Sequence, residues 1–368
     1  MTKQQLDALL TLGVRKGASD IHLEVGYPPM YRVNGALYGA RLEALKPEDT
    51  AAAAAAICND KPKLEGELDT SYSITGVSRF RASIFRQRNS FGLVLRVIPF
   101  EIPTLESLHL PAAASRLSEA REGLVLVTGA TGQGKSTTIA ALLQRLNAKE
   151  RLHIVTIEDP IEFLFPVAQS LIIQREVGSD TASFKQALRA AMRQDPDVIF
   201  VGELRDTETA DICLKAAETG HLIVATLHTM DATRTVNRFL GLFPADEQAL
   251  ARGRLADVLK GVLSLRLLPR ADGQGLVPAC ELMFTTMALQ QAIRDPARHA
   301  EIAALIERGR EDLGSQSFDQ HLQDLVAQKL ISLDTAKANA TSVANLERSL
   351  ALDSSGTSGP SLELKTRR

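Results

Sequence analysis

Apolar and polar positions follow three rhythms along this chain. In the first hundred residues the period is two: Phe91, Leu93, Leu95 and Val97 share one face of a predicted strand, while Val94 and Arg96 face the other way. A second predicted strand, Arg79–Phe85, puts Arg79 and Arg81 on a common face. From Arg121 to Phe284 the apolar runs are unbroken: Leu124–Val127, His153–Ile157, Val198–Val201 and Leu222–Leu227 alternate with helical stretches. That alternation predicts a mostly parallel sheet with helices on its faces. A helix predicted over Ser183–Arg193 lines up Phe184, Leu188, Ala191 and Met192, as packing against such a sheet requires. Beyond residue 285 the reading is helical, with segments over Ala288–Ile293, Ala300–Glu307 and Thr335–Leu350 and an apolar stripe of Phe318, Leu322 and Leu325. The run Ala51–Ala56 needs no explanation beyond high helix propensity.

The rhythms place an N-terminal α/β domain over residues 1–100 and a linker over 101–111, in a stretch marked by Pro99, Pro103 and Pro111. A phosphate-loop domain over 112–285, a helical region over 286–350 and a Ser- and Gly-rich tail over 351–368, expected to be disordered, complete the division. With 368 residues, 45% apolar and 23% charged, the chain has the composition of a soluble globular protein. No stretch reads as a membrane span or a signal peptide, so the cytoplasm is the expected compartment. Cys58, Cys213 and Cys280 stand too far apart in sequence for a disulfide framework or a paired-cysteine zinc site. A net charge of −2 removes global basicity as an argument for nucleic-acid binding.

Chemistry enters at Gly129-Ala130-Thr131-Gly132-Gln133-Gly134-Lys135-Ser136, followed by Thr137, which matches the pattern G-x-x-x-x-G-K-[ST] between a predicted strand and a predicted helix. Glycines let successive backbone N–H groups point inward at phosphate oxygens, and the helix N-terminus adds its positive end. Lys135 then reaches the β- and γ-phosphates and Ser136 ligates Mg2+, so ATP with Mg2+ is the expected ligand.

Hydrolysis needs carboxylates at neighbouring strand ends. Glu158, in Ile157-Glu158-Asp159-Pro160-Ile161-Glu162, directly follows one strand and can hold Mg2+ through water or polarise the attacking water. Glu203 ends the run Val198-Ile199-Phe200-Val201-Gly202-Glu203, with Gly202 where an aspartate is usual, and is assigned to positioning or deprotonating the water. His221 and His228 flank the strand Leu222–Leu227, and no other ligand stands at metal-binding spacing. Arg79, Arg81, Arg86, Arg88 and Arg96 are either a solvated basic face or a source of charge for the phosphates.

Taken together these blocks resemble the twitching-motility ATPases of type IV pili, the PilT/PilU branch of the secretion-ATPase superfamily. The resemblance is carried by Gly17-Ala18-Ser19-Asp20-Ile21-His22-Leu23, Arg79-Phe80-Arg81, Val94-Leu95-Arg96-Val97-Ile98-Pro99 and the phosphate loop. It continues through Glu158 to Glu162, Gln174-Arg175-Glu176-Val177-Gly178, Arg193-Gln194-Asp195-Pro196-Asp197, Gly202-Glu203-Leu204-Arg205-Asp206 and Thr226-Leu227-His228-Thr229. Gly202 before the glutamate is usual in that superfamily. The resemblance implies a PAS-like N-terminal domain, a RecA-like P-loop ATPase core and a homo-hexamer in which Arg81 and Arg96 approach the phosphates. It also implies catalytic roles for Glu158, Glu203, His221 and His228. The implied function is ATP hydrolysis that powers pilus retraction at the inner face of the cytoplasmic membrane, against an inner-membrane platform protein.

The retraction branch is favoured because paired cysteines and a long extra N-terminal domain, usual in assembly ATPases, are not in this sequence. Ala288-Leu289-Gln290-Gln291-Ala292-Ile293-Arg294-Asp295 follows the retraction motor's C-terminal motif only loosely. An accessory paralogue of the retraction motor therefore stands as an alternative reading, with a paralogous retraction ATPase as a partner. A RecA-like nucleic-acid translocase is the other; it is disfavoured by 4% aromatic residues and no tryptophan, and no nucleic-acid partner is expected.

Overall fold

The computed structural model describes residues 1–58, 66–98 and 101–355, so Pro99 and the expected tail from 356 onward lie outside the described residues. The first elements are α1 (Lys3–Arg15), β1 (Asp20–Leu23), β2 (Met30–Val33), β3 (Ala36–Gly39), α2 (Pro47–Ile57), β4 (Leu68–Ile74), β5 (Ser78–Gln87) and β6 (Ser90–Ile98). They are followed by β7 (Gly123–Thr128), α3 (Lys135–Lys149), β8 (His153–Glu158), β9 (Leu171–Glu176), α4 (Phe184–Ala191), β10 (Val198–Val201) and α5 (Thr207–Glu218). Next come β11 (Leu222–Leu227), α6 (Ala232–Leu240), α7 (Gln248–Val258), β12 (Leu259–Pro269) and β13 (Leu276–Phe284). The chain closes with α8 (Met287–Arg294), α9 (Ile302–Arg308), α10 (Arg310–Leu313), α11 (Phe318–Ala327), α12 (Leu333–Asn339) and α13 (Val343–Ser355). Two compact units result, Met1–Ile102 with Asn147–Asp195 and Pro103–Leu146 with Pro196–Arg368.

In the first unit an antiparallel sheet runs β3-β2-β1-β6-β5-β4. Two of its hairpins are fixed by two-residue turns whose central residues both have positive φ, Asn34-Gly35 (50° and 83°) and Arg88-Asn89 (48° and 62°). Turns of that hand match the right-handed twist of the strands they join. The register then places Leu93 and Leu95 of β6, with Phe80 and Ile84 of β5, in a core closed by Leu6 and Leu10 of α1 and Ala53 and Ala54 of α2. The alternate positions, carrying Arg79, Arg81 and Arg96, are left on the other face. The same unit contains the parallel pair β8–β9 and α4, which Ser183 caps by accepting from the Gln186 N–H. On α4 the buried residues are Ala187, Leu188 and Ala191, so Ala187 takes the inward place expected of Phe184.

In the second unit the strands run β13-β12-β7-β11-β10, parallel except for β13, which is antiparallel to β12. The interior strands β7, β10 and β11 are buried at every position, which accounts for the unbroken apolar runs. The helical end packs through Phe318, Leu322 and Leu325 of α11, together with Ala336 and Leu346, onto Leu268, Val277 and Ala279 of the β12–β13 hairpin. The single helix expected over Thr335–Leu350 is two: the chain leaves helical geometry at Ala340 (ψ 144°) and restarts at Val343, where Asp319 accepts from the Thr341 and Ser342 N–H groups. α13 reaches Ser355, into the stretch expected to be disordered. No helix among the described residues is long and apolar enough to cross a membrane.

Candidate functional site

The site of the second unit starts at the end of β7. Gly129, Gly132 and Gly134 have φ of 146°, 78° and 82°. A side chain at Gly129 would place its Cβ 2.7 Å from the Leu265 carbonyl oxygen, so the loop can begin only with glycine. The Gln133 side chain accepts from the Leu267 N–H at 2.6 Å and pins the loop to β12. Ser136 and Thr137 lie in the first turn of α3, half-buried, behind the exposed Ala130 and Thr131. The buried Lys135 ammonium donates to the carbonyls of Gly129 at 2.8 Å and Ala130 at 3.0 Å, which curls the loop around a single cation. A left-handed glycine loop, a central lysine and a hydroxyl at a helix start suit a triphosphate with its magnesium ion.

Two further strand ends, those of β10 and β11, converge on this loop. His228, one residue past β11, lies with Nδ1 3.4 Å from Lys135 Nζ and Nε2 3.1 Å from Glu203 Oε1. An ammonium only donates, so Nδ1 accepts and the proton resides on Nε2, directed at the carboxylate. Arg205 holds the other oxygen of Glu203 at 2.7 Å. Gly202, before it, accepts from the Thr226 hydroxyl, which ties β10 to the β11 end that carries His228. Glu203 thus has fixed orientation and partial solvent access (side chain 21% exposed), the conditions for taking a proton from water.

His221 is placed differently. Parallel pairing sets Leu222 opposite Gly123 and Leu227 opposite Thr128, so His221 precedes the strand end remote from the phosphate loop. One strand length, about 17 Å, separates the two ends of β11. Its Nδ1 is 3.0 Å from the Ala216 carbonyl and 3.3 Å from the Thr219 hydroxyl, so it closes the C-terminus of α5.

The remaining expected site residues lie in the first unit. Glu158 ends β8 with 8% exposure, and its Oε1 accepts from Thr156 Oγ1 at 2.6 Å and Gln174 Nε2 at 3.2 Å. Burial pushes its carboxyl up to about 7 against these hydrogen bonds, so it titrates at neutral pH. Arg81 and Arg96 face each other directly across β5 and β6. Asp20, opposite Arg96 on β1, accepts from its Nε at 2.9 Å and is 3.9 Å from Arg32 Nε. Burial works against the Asp20 charge, but hydrogen bonds from Arg96 and Ser19 hold its carboxyl below the usual range. Arg81 has the exposed Asp69 at 3.7 Å. The row Arg32, Asp20, Arg96 and Arg81 therefore carries an excess of guanidinium, suited to an anion. Arg79, which sequence reading grouped with these, is a structural pin: it bonds Glu176 at 3.0 Å and Ser71 at 2.7 Å. Sequence reading also passed over Arg205, although a basic residue two positions after a strand-end glutamate was visible.

The model of the type II/IV secretion system protein family matches residues 1–352 of this chain. The type IV pilus retraction ATPase PilT of Pseudomonas aeruginosa is 44% identical over 336 residues, covering 90% of this chain and 97% of that protein. The type IV pilus ATPase PilU of the same organism is 39% identical over 354 residues, covering 95% and 92%. A crystal structure of the pilus retraction motor PilT with bound ADP superposes with a TM-score of 0.84 at 41% identity, over 95% of this chain and 99% of that one. In fold, in the order of its motifs and in overall sequence, this chain belongs to the type II/IV secretion system protein family.

Proposed function

We propose that this protein is an ATP-hydrolysing motor that powers type IV pilus retraction and twitching motility. The observation that carries the chemistry is the chain of contacts from Lys135 through His228 to Glu203, which links the residue that meets the phosphates to the residue that activates water. When Lys135 turns from the loop carbonyls to a γ-phosphate, it leaves His228 Nδ1 and alters the partner set of Glu203, so phosphate occupancy and the carboxylate's readiness are coupled. The backbone of Gly129, Ala130, Thr131, Gly132, Gln133 and Gly134 and the N-terminus of α3, with Thr137 in its first turn, receive the phosphates. Mg2+ held by Ser136, with Glu158 acting through water, would neutralise developing phosphate charge. Arg81 and Arg96 are assigned to the same neutralisation; their guanidinium excess supports it. His221 is assigned to closing α5.

The likeness to PilT supports the pilus assignment, and it favours the main retraction motor over its accessory paralogue. The motor is read as a homo-hexamer working at the cytoplasmic face of the inner membrane against a platform protein, with domains over 1–100 and 112–285 joined by a linker. Deleting the gene and counting surface pili tests this. Accumulated pili with lost twitching are expected, bald cells would reassign the motor to assembly, and unaltered pili and motility would remove the pilus role.

A further inference from the structure

β13 is buried from Val277 to Met283, and within that stretch stands one acid, Glu281. Its Oε1 accepts from the Ala232 N–H at 2.7 Å, the first residue of α6. Three residues separate that N–H from His228: Thr229, Met230 and Asp231. Asp231 caps α6 by accepting from the Arg234 N–H at 2.7 Å. The Thr229 hydroxyl lies 2.7 Å from that of Thr235, which donates to the Asp231 carbonyl at 2.7 Å. Thr235 Oγ1 also lies 3.5 Å from Thr128 Oγ1, and Thr128 donates to Ser264 at 2.9 Å. Thr128 immediately precedes Gly129, and Ser264 is the cross-strand partner of Glu281. A buried polar frame thus joins the root of the phosphate loop to the segment that leaves His228, and Glu281 holds its far corner.

We propose that Glu281 is a positioning residue for ATP hydrolysis: by anchoring the start of α6 it fixes the backbone after His228, so that the imidazole bridges Lys135 and Glu203. Hydrophobic packing of β13 alone would be better served by an apolar residue, and burial pushes this carboxyl up to about 7. What the carboxylate supplies is a strong acceptor for an N–H at a helix N-terminus, where negative charge is favoured. The inference rests on the reading of the site as an ATPase.

Steady-state ATPase kinetics on the full-length assembly test it, with thermal unfolding recorded for each variant. Glu281→Ala is expected to lower kcat about tenfold while KM for ATP stays within twofold, because the phosphate loop itself is intact. Glu281→Gln keeps an acceptor of the same shape and should stay within about threefold of wild type. Added to His228→Ala, Glu281→Ala should cost less than twofold more, since its effect runs through that ring. If Glu281→Ala does not fold, Thr235→Val is held to the same kcat, KM and His228→Ala criteria. A kcat within twofold of wild type, a KM rising in step with the fall in kcat, or a full penalty in the His228→Ala background overturns the positioning role and leaves the ATPase reading standing. A wild-type protein that hydrolyses no ATP overturns both.

Discussion

Glu203 is held by the His228 imidazole on one oxygen and a guanidinium on the other, and Lys135 by two carbonyls and an imidazole. Removing either should separate binding from chemistry. Glu203→Gln keeps the size of the side chain but cannot take a proton, so kcat should fall at least about a hundredfold while nucleotide still binds. Lys135→Ala should lose nucleotide affinity itself, read by titration with a fluorescent ATP analogue. Wild-type turnover in Glu203→Gln would move the general base elsewhere. Glu158 gives a prediction about stability. Folding lifts its carboxyl from an ordinary 4.5 to about 7, so within that window the native chain keeps a proton that the unfolded chain has released. Stability from this group therefore falls as pH rises from 4.5 to 7 and stays low above it. Glu158→Gln should be more stable than wild type at pH 8, by about 1–3 kcal/mol, with the difference vanishing near pH 4.5. Urea midpoints at the two pH values decide it, and equal shifts at both would show that Glu158 is not buried as a charge. Glu203 and His228 were legible in the sequence because each follows the end of an apolar run, and parallel strands bring like ends together; Lys135 was legible from the glycine-loop pattern that it belongs to. His221 precedes its run, so the same rule sets it at the opposite end of β11. Glu281 was invisible: its partner is a backbone N–H 49 positions away, and nothing local marks the pair.

Among the elements, strands with a regular pattern were readable, whether buried on both faces or alternating as β5 and β6 do, and strands with neither pattern were not. The strands β7, β8, β10 and β11 announced themselves as apolar runs. β9 did not, because Leu171 and Ile173 are exposed and its end is Gln174-Arg175-Glu176. β12 is interrupted by Lys260, Ser264 and Arg266, whose partners belong to the tertiary structure: Thr128 for Ser264, and the Phe318 ring, 3.8 Å away, for Arg266. The break between α12 and α13 was hidden because alanine at the junction favours a helix, and capping by Asp319 and by the Ser342 hydroxyl, which accepts from the Asn345 N–H, overrides that preference. The first unit's sheet makes a testable element. Arg96 stands between Asp20 and Arg81 in one cross-strand row, so Asp20 offsets a like-charge contact that would otherwise oppose β5–β6 pairing. Asp20→Asn should destabilise by about 1–2 kcal/mol at pH 7. Because the folded carboxyl lies below its ordinary 3.8, wild type loses this advantage as pH falls through and below that value, and the two proteins should converge there. Thermal unfolding at pH 7 and pH 3 measures the gap; one that persists at low pH would assign the effect to shape rather than charge.

For the whole molecule, nothing in a single chain's hydrophobic pattern specifies a ring, and the proposed hexamer rests on the resemblance to the pilus ATPases. A closed ring constrains its members, because a displacement in one subunit must be accommodated by the next across an identical interface. If hydrolysis is the step that drives the displacement, a subunit that binds ATP but cannot cleave it stalls its neighbours as well as itself. Glu203→Gln is the appropriate probe, since its expected defect leaves folding and nucleotide binding in place. Wild-type and Glu203→Gln subunits co-assembled in graded ratios should show ATPase activity that falls much more steeply than the wild-type fraction. A straight line would mean that each site turns over alone. Independent sites could still hydrolyse ATP, but they could not pass work around a ring, and the retraction motor would have to act by another arrangement of its subunits.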